Sequence, residues 1–264
     1  GVTSHDVVDM VRRSLRTRKV GHAGTLDPMA TGLLILGVGR ATRLLRYLGD
    51  LSKSYAATGR LGEETDTLDA DGQIVRSASV DVSRAEIEGA CAALVGDSLQ
   101  TPPAYSAVKV AGRKLYEAAR KGDALEAPAR RIRVDAFEVS AFDGRDVEVR
   151  ITCSGGTYVR VLVADVGRAL GCGAHLVRLR RTAIGPFRVE DAHPPGVGEP
   201  LPIERVPSVH LDAEEARAAS HGRLLGPAAI DGPYAVFGPD GALKGIYRDA
   251  GASARPEVVL ASDR

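Results

Sequence analysis

Two runs of alternating apolar and polar residues, joined by a hairpin turn, restrict the folds open to this chain more than any other feature. Residues alternate in this way from Arg131 to Val139 and again from Val147 to Cys153, with Asp143-Gly144 between the two runs. Alternation with a period of two indicates a strand with one buried face, and an Asp-Gly pair favours a tight hairpin. The sequence therefore predicts an antiparallel strand pair in a sheet that has a core on one side.

Further strands and helices are predicted around this pair. Tyr55 to Leu61 alternates like a half-exposed strand, and Ser83 with Glu86 forms a capping box at the start of a helix. A third apolar pattern predicts a helix from Tyr158 to Leu170. Short strands, hairpins and intervening helices in this order predict an α+β fold with a mixed, largely antiparallel sheet and flanking helices.

Two interruptions in the pattern indicate how the chain is organised. Residues 100 to 130 are basic and contain only a small predicted helix near Lys114 to Lys121, which is typical of an inserted segment. The stretch His193–Pro202 has the composition of a linker. The linker separates a predicted larger domain at residues 1–190 from a small β-rich module at residues 203–264, which contains a predicted helix at Ala213–Ser220.

Charge is unevenly distributed, although the chain has 35 Lys and Arg against 34 Asp and Glu. Residues 1–47 and residues 109–133 each carry eight basic and three acidic residues, whereas the residues from 191 onward carry seven basic and eleven acidic ones. Local basic surfaces on a nearly neutral chain are typical of proteins that bind a polyanion, but solvated surface arginines give the same counts. Charge alone therefore leaves nucleic-acid binding open.

Cysteine spacing and apolar runs argue against several classes of protein. Cys91, Cys153 and Cys172 have spacings that suit neither zinc nor a disulfide framework, which favours free thiols in a reducing compartment. The run Leu33–Val38 predicts a short buried strand and is too short to cross a bilayer. We expect a cytoplasmic protein without membrane contact. Because the chain begins with Gly1 rather than methionine, we also expect sequence to precede it.

One carboxylate lies in an unusual glycine-rich stretch, Gly21–Gly32. Asp27 follows His22 by five residues and directly precedes Pro28. Asp followed by Pro is a common helix start, so a helix cap is one interpretation of Asp27. The other interpretation is a nucleophile or general base that a nearby cation keeps ionised, and Arg160 is a candidate for that cation.

The motifs for phosphate, dinucleotide and calcium binding are all incomplete. The Gly21–Gly32 stretch lacks the Gly-Lys-Ser/Thr ending of a phosphate loop, and Gly37-Val38-Gly39 lacks the third glycine of a dinucleotide fingerprint. Asp69–Gly72 contains only part of the ligand set of a calcium loop. The sequence therefore predicts no metal and no nucleotide cofactor.

The stretch Gly21–Gly32 resembles the catalytic motif of the TruB family, the bacterial tRNA pseudouridine synthases. Further segments resemble the same family in order, and with the first they extend over most of residues 1 to 188: Val2–Val8, Lys53–Ala57, Leu61–Thr67, Pro102–Lys109, Ser154–Arg160 and His175–Arg181. This combination is highly specific, and it favours the nucleophile over the helix cap as the role of Asp27.

The resemblance implies a pseudouridine synthase fold and the isomerisation of one uridine, at position fifty-five in the T loop of tRNA, without a cofactor. It implies that Asp27 is the nucleophile, which attacks either C6 of the uracil or C1′ of the ribose. Arg160 would pair with Asp27 and keep it ionised. Tyr55 would stack on the extruded uracil and assist removal of the C5 proton.

The resemblance also implies a set of residues that bind the RNA. His22 would insert into the loop and hold the base out, because extruding a base leaves a gap in the stack. Leu179 would line the uracil pocket, and Tyr158 is assigned to substrate binding with it. Arg43 stands where the family often has lysine and would bind a phosphate, and Lys109 begins a basic segment that would grip the RNA.

Two other functions fit the same residues. An RNA-folding protein that opens the elbow of tRNA would need no chemistry from Asp27. A related type of synthase works inside a guide-RNA particle, but the compact chain and its inserted basic segment favour the stand-alone type. The residues from Ala213 onward resemble a PUA-type RNA-binding module. We therefore expect a monomer that has the T arm of tRNA as its partner and needs no protein partner.

Overall fold

A computed structural model describes residues 2–106, 108–119, 125–195 and 207–260. The helices are α1 (Ser4–Ser14), α2 (Leu45–Gly49), α3 (Arg84–Ala92), α4 (Leu115–Ala119), α5 (Val159–Ala169) and α6 (Ala213–Ser220), with 3-10 turns at Gly39–Leu44 and Val189–Asp191. The strands are β1 (Val20–His22), β2 (Thr31–Gly32), β3 (Leu36–Val38), β4 (Lys53–Leu61), β5 (Glu63–Thr65), β6 (Ile74–Ser77), β7 (Gly96–Gln100), β8 (Lys109–Val110), β9 (Arg113–Lys114), β10 (Arg130–Phe142), β11 (Asp146–Cys153), β12 (Ala174–Ile184), β13 (Phe187–Arg188), β14 (Ser208–His210), β15 (Pro233–Phe237), β16 (Leu243–Ala250) and β17 (Ser253–Val259).

The described chain divides into two compact units. The first consists of Gly1–Ser4, Gly24–Leu34 and Gly49–Ala192, and the second of His5–Ala23, Ile35–Leu48 and His193–Arg264. The predicted domain boundaries at residues 190 and 203 stay a prediction. Residues 196–202 of the predicted linker and residues 203–206 and 261–264 of the predicted module lie outside the described residues.

The first unit is built on a mixed, largely antiparallel sheet. Its strand order is β13-β12-β4-β11-β10-β7, in which every neighbouring pair is antiparallel, and β2 adds to β12 in parallel. Strands β10 and β11 form the predicted hairpin, where Oδ1 of Asp143 accepts hydrogen bonds from the backbone N–H groups of Arg145 and Asp146. The predicted α+β class with flanking helices is confirmed.

One face of this sheet is covered by α3 and α5. Alternation along β4 buries its odd-numbered residues, from Lys53 to Leu61. On that face the strands share one apolar cluster with residues of the two helices, among them Ile87, Cys91, Leu162 and Val163. Gly59 permits the close approach of α5, because a Cβ atom there would lie 2.8 Å from Cγ1 of Val163. Tyr55 therefore lies on the helix-covered face of the central strand.

The second unit contains a four-stranded sheet in the order β14-β15-β16-β17. Strand β14 is parallel to β15 and the other pairs are antiparallel. Helix α6 has the bounds predicted from the sequence and begins at Asp212, whose carboxylate accepts hydrogen bonds from the N–H groups of Glu214 and Glu215. The predicted β-rich C-terminal module is confirmed.

The described part of the inserted segment, residues 100–106, 108–119 and 125–130, contains short elements of regular structure. Strands β8 and β9 form a short hairpin that α4 follows directly. The predicted helix near Lys114 to Lys121 is observed as Leu115–Ala119, and residues 107 and 120–124 lie outside the described part. Among the residues that the structure describes, no helix is long and apolar enough to span a membrane.

Candidate active site

Asp27 lies in a turn of the first unit and not at the start of a helix. Its carbonyl oxygen accepts a hydrogen bond from the N–H of Ala30 at 2.9 Å, which places Pro28 at the second position of a four-residue turn, where its fixed φ is favourable. Just before Asp27, the N–H of Leu26 donates to Oγ of the buried Ser4 at 2.9 Å. The helix-cap interpretation of Asp27 is therefore wrong.

Arg160 is a buried guanidinium that contacts two carboxylates. Its Nε lies 2.9 Å from Oδ2 of Asp27, in an ion pair without hydrogen-bond alignment, and its Nη2 donates to Oδ1 of Asp27 at 3.3 Å. On the other side, Nη1 donates to Oδ2 of Asp69 at 3.1 Å. The carbonyl oxygens of Thr67 and Tyr105 accept further hydrogen bonds at 2.9 and 3.0 Å. These partners fix the orientation of the guanidinium that faces Asp27.

The position of Arg160 follows from how α5 begins. Tyr158 is the N-cap of that helix, and its backbone N–H and carbonyl oxygen are both bonded to the side-chain amide of Gln100, at 2.8 and 3.1 Å. The guanidinium of Arg130 lies over the Tyr158 ring, 4.8 Å from its centroid. The start of α5, and with it Arg160 in the first turn, is thus fixed to β7 and β10.

Burial and charge act in opposite directions on Asp27. Burial raises the pKa of this carboxyl group above its ordinary value, and the nearby carboxylates of Asp69 and Asp71 raise it further. The charge of Arg160 and its hydrogen bond lower the same pKa. The ion pair with Arg160 is therefore the main interaction that favours the ionised form of Asp27.

Tyr55 is the third group of the site and is 8% exposed. Burial raises the pKa of its phenol to about 12, while the neighbouring Arg181 guanidinium acts in the opposite direction and the Asp27 charge adds to the increase. The phenol is therefore protonated at neutral pH. Arg181 joins the two parts of the site, because it binds the carbonyl oxygen of Gly24, just before Asp27, and lies opposite Tyr55 on the neighbouring strand. The structure thus brings Asp27, Arg160 and Tyr55 into one region of the first unit.

The other predicted site residues of the first unit are Leu179, Tyr158 and Lys109. Leu179, on β12, is 7% exposed, and its carbonyl oxygen accepts a hydrogen bond from Oγ1 of Thr31 in the Asp27 loop. Tyr158 lies two residues before Arg160. Lys109 is exposed on β8, in the inserted segment.

His22 and Arg43 belong to the second unit. His22 is the last residue of β1 and pairs with Leu36 of β3. Arg43 lies in a 3-10 turn and donates from Nη1 to the carbonyl oxygen of Val259 at 2.7 Å. Their predicted contacts with RNA stay predictions.

Sequence analysis missed two residues that hold this site together. Asp69 was considered only as part of an incomplete calcium loop, and its role as a partner of Arg160 depends on a contact between residues 91 positions apart. Arg181 lay in a segment that matched the family, but a buried arginine gives no periodic signal. Among the described residues no cluster of His, Cys, Asp or Glu side chains suits a metal ion.

Replacing Asp69 with Asn is expected to slow catalysis without weakening RNA binding. The Asn amide can still accept a hydrogen bond from Nη1 of Arg160 but lacks the charge that strengthens it, and hydrogen bonds to charged groups are worth roughly 1.5–3 kcal/mol. We expect kcat to fall roughly ten- to hundredfold. Asp71→Asn is the matched control, because Asp71 also raises the pKa of Asp27 but no bond from its side chain to Arg160 is observed. Equal effects of the two variants would contradict this role of Asp69.

Comparison with known proteins identifies the class of protein and then its family. Two family models match parts of the chain after residue 159. They are "tRNA Pseudouridine synthase II, C terminal" at residues 206–261 and "tRNA pseudouridylate synthase B C-terminal domain" at residues 160–194. The model "TruB family pseudouridylate synthase (N terminal domain)" matches residues 12–159. These matches define a pseudouridylate synthase, which is an isomerase. The chain belongs to the TruB family, as its sequence predicts.

Individual relatives agree with this assignment. A protein of Mycolicibacterium paratuberculosis named tRNA pseudouridine synthase B is 48% identical over 98% of this chain and 94% of its own length. A Thermobifida fusca protein of the same name is 44% identical over 99% of this chain and 95% of its own length. Among solved structures, the crystal structure of a Cbf5-Nop10-Gar1 complex has a chain with a TM-score of 0.73 and 25% identity, covering 99% of this chain and 82% of that one. The predicted fold is confirmed.

Proposed function

We propose that this chain converts the T-loop uridine at position fifty-five of tRNA to pseudouridine, with Asp27 as the nucleophile. The observation that carries the proposal is the ion pair of Asp27 with the buried Arg160, in a loop whose backbone leaves the carboxylate partly accessible. Relatives that match nearly the whole chain are named tRNA pseudouridine synthase B, which supports tRNA as the substrate. In this proposal residues 1–190 are the catalytic domain, with an RNA-binding insertion at about 100–130, and residues 203–264 are a PUA-like RNA-binding module.

The reaction needs a nucleophile and a proton acceptor. The N1–C1′ bond of uridine breaks and a C5–C1′ bond forms, while C5 loses a proton and N1 gains one. Substrate and product have the same composition, so the isomerisation consumes no oxidant and no co-substrate. Asp27, kept ionised by Arg160, attacks C6 of the uracil or C1′ of the ribose. Tyr55 contacts the base. It assists removal of the C5 proton in its phenolate form, so it must first release its own proton, which the positive charge of Arg181 favours.

The uridine must leave the RNA stack before Asp27 can reach it. Enzymes that act on a base extrude it into a pocket, at a cost of a few kcal/mol for the lost stacking. In the proposal His22 fills the gap in the RNA, and Leu179 and Tyr158 line the uracil pocket. Arg43 and Lys109 bind phosphates. The buried position of Leu179 and the exposure of Lys109 support these assignments.

The proposal describes a cytoplasmic monomer that acts without a guide RNA. The relatives named tRNA pseudouridine synthase B are 44–48% identical to this chain, compared with 25% for the chain in the Cbf5-Nop10-Gar1 complex. The higher identity supports the stand-alone type of enzyme.

The deciding experiment uses a T-arm stem-loop labelled with tritium at C5 of the target uracil. Formation of the C5–C1′ bond must release this tritium to water. We expect complete release by the purified chain alone, and no release from a stem-loop with cytidine at the target position. Intact binding without release would instead favour the RNA-folding function, in which conversion plays no part.

Affinity for the stem-loop is expected to fall steeply with salt. The two basic stretches, residues 1–47 and 109–133, each have a net charge of +5, and arginine and lysine contacts to phosphates release counterions. We expect the dissociation constant to rise at least about tenfold between 50 and 200 mM salt in a filter-binding or anisotropy titration. A dissociation constant that is independent of salt would contradict a phosphate-binding role for these stretches.

A further inference from the structure

Arg181 is the largest of the side chains that are almost completely buried, with 1% of its surface exposed. Its guanidinium lies against the loop that contains Asp27. Nη2 donates to the carbonyl oxygen of Gly24 at 3.1 Å, and Nη1 lies 3.5 Å from the carbonyl oxygen of Thr25. Nε donates to the carbonyl oxygen of Leu33 at 2.8 Å. One side chain thus binds the loop both before and after Asp27.

The backbone of Arg181 holds the same loop. Its carbonyl oxygen accepts a hydrogen bond from the N–H of Leu33 at 2.9 Å, and β2 pairs with β12 at this residue. Gly32 passes so close that a Cβ atom there would lie 2.2 Å from the Arg181 carbonyl oxygen, and its φ of +100° is one that other residues rarely adopt. The exit of the Asp27 loop is therefore fixed on β12 by both backbone and side chain.

Arg181 also reaches the tyrosine of the site. It lies opposite Tyr55 in the register of β12 and β4, and its positive charge lowers the pKa of the Tyr55 phenol, against the larger effect of burial. Among the described residues no carboxylate lies within ion-pair distance of Arg181, so its buried charge is met by neutral carbonyl groups. An arginine needed only for packing would more often have an acidic partner, because burying a charge is costly.

We propose that Arg181 is a positioning residue that sets the distance between the Asp27 carboxylate and the Tyr55 hydroxyl. One planar guanidinium bonds the loop of the first residue, and it belongs to the residue that lies opposite the second on the neighbouring strand, so both approach the uracil from fixed positions. No contact of this guanidinium with the Asp27 carboxylate is observed among the described residues. Lysine cannot replace it, because a single ammonium group lacks the planar set of donors that reaches three carbonyl oxygens together.

The test compares Arg181→Lys and Arg181→Met with Arg180→Met, a matched control at the adjacent exposed position of β12. Conversion is measured as a single turnover with enzyme in saturating excess over the labelled stem-loop. Under these conditions partial unfolding lowers the active fraction but leaves the rate constant unchanged, whereas mispositioning lowers the rate constant itself. Stem-loop affinity and the midpoint of thermal unfolding are measured in parallel.

We expect the rate constant to fall about a hundredfold in Arg181→Met and at least about tenfold in Arg181→Lys, since misplacing reacting groups by about 1 Å has effects of this size. Affinity should change less than threefold, and Arg180→Met should match the wild type. If Arg181→Lys has the wild-type rate constant, the inference is overturned. This outcome decides the question even if Arg181→Met does not fold. The inference rests on the proposed function, and a wild-type enzyme that releases no tritium would contradict that function rather than Arg181.

Discussion

Replacing Asp27 with Asn is expected to abolish conversion of the stem-loop while leaving its binding nearly intact. The amide has almost the same shape as the carboxylate and can still accept a hydrogen bond from Arg160, but it is not a nucleophile at neutral pH. We expect the single-turnover rate constant to fall at least about a thousandfold, which corresponds to roughly 4 kcal/mol of transition-state stabilisation. The dissociation constant should stay within several-fold of the wild-type value.

Two controls make this result specific. Asp27→Glu keeps the charge but moves the carboxylate along a longer side chain, so we expect partial activity at most. Asp71→Asn removes a nearby carboxylate that no observed contact joins to Arg160, and it should convert RNA at close to the wild-type rate. Tritium release by Asp27→Asn at more than about one-tenth of the wild-type rate would rule out Asp27 as the nucleophile.

The sequence predicted those parts of the fold in which local periodicity and packing agree. The β10–β11 hairpin, α5 and α6 each have a turn or cap signal at one end, and all were found close to their predicted bounds, although β10 has register shifts between Val134 and Ala136 and between Val139 and Ala141. Strand β12 was missed although it is central to the sheet. Bulges between Leu176 and Arg178 and between Arg181 and Ala183 shift its alternation twice.

The predicted strand at Leu33–Val38 was only partly correct, for a related reason. Only Leu36–Val38 forms a strand, because the N–H of Leu33 bonds instead to the carbonyl oxygen of Arg181. That contact joins residues 148 positions apart in the sequence, and no local sequence pattern predicts it. Apolarity therefore predicted the burial of Leu33 but neither the exposure of Val38 nor the shape of the backbone between them.

The residues of the candidate site also fall into a group that the sequence predicted and a group that it did not. Motif resemblance predicted roles for Asp27, Arg160 and Tyr55, and the structure places these three residues together. The residues that orient them are Asp69 and Arg181, which act through contacts between distant parts of the chain. Each of these contacts is made by a single side chain that the folded chain brings close to a distant segment. A single residue forms no repeated spacing in the sequence, so the contact could not be predicted from it.

Replacing Arg160 with Met is expected to reduce both stability and activity, because it leaves Asp27 and Asp69 without their common cation. Removing one partner of a buried ion pair costs about 3–5 kcal/mol, and the partial exposure of Asp27 favours the lower end of that range. We therefore expect the free energy of unfolding, measured with urea at pH 7, to fall by about 3 kcal/mol. The rate constant for conversion should fall at least about a hundredfold, since the pKa of Asp27 rises further and less of the nucleophile is ionised.

The pH dependence separates this explanation from a simple loss of packing. In the variant the folded chain binds a proton on Asp27 more tightly than the unfolded chain does, so its stability deficit should shrink as the pH falls from 7 toward about 4. The acid limb of the wild-type rate profile lies where Asp27 becomes protonated, and burial raises the pKa of this group above its ordinary value. In Arg160→Met the limb should move to still higher pH.

The double variant Arg160→Met/Asp69→Asn completes the test. It has one buried carboxylate fewer, so it should recover part of the lost stability, and the two substitutions should be clearly non-additive. It should not recover conversion, because no guanidinium is left to hold Asp27. A stability deficit that is independent of pH and unchanged in the double variant would mean that Arg160 acts by packing alone. The ion pair would then not be what keeps the nucleophile ionised.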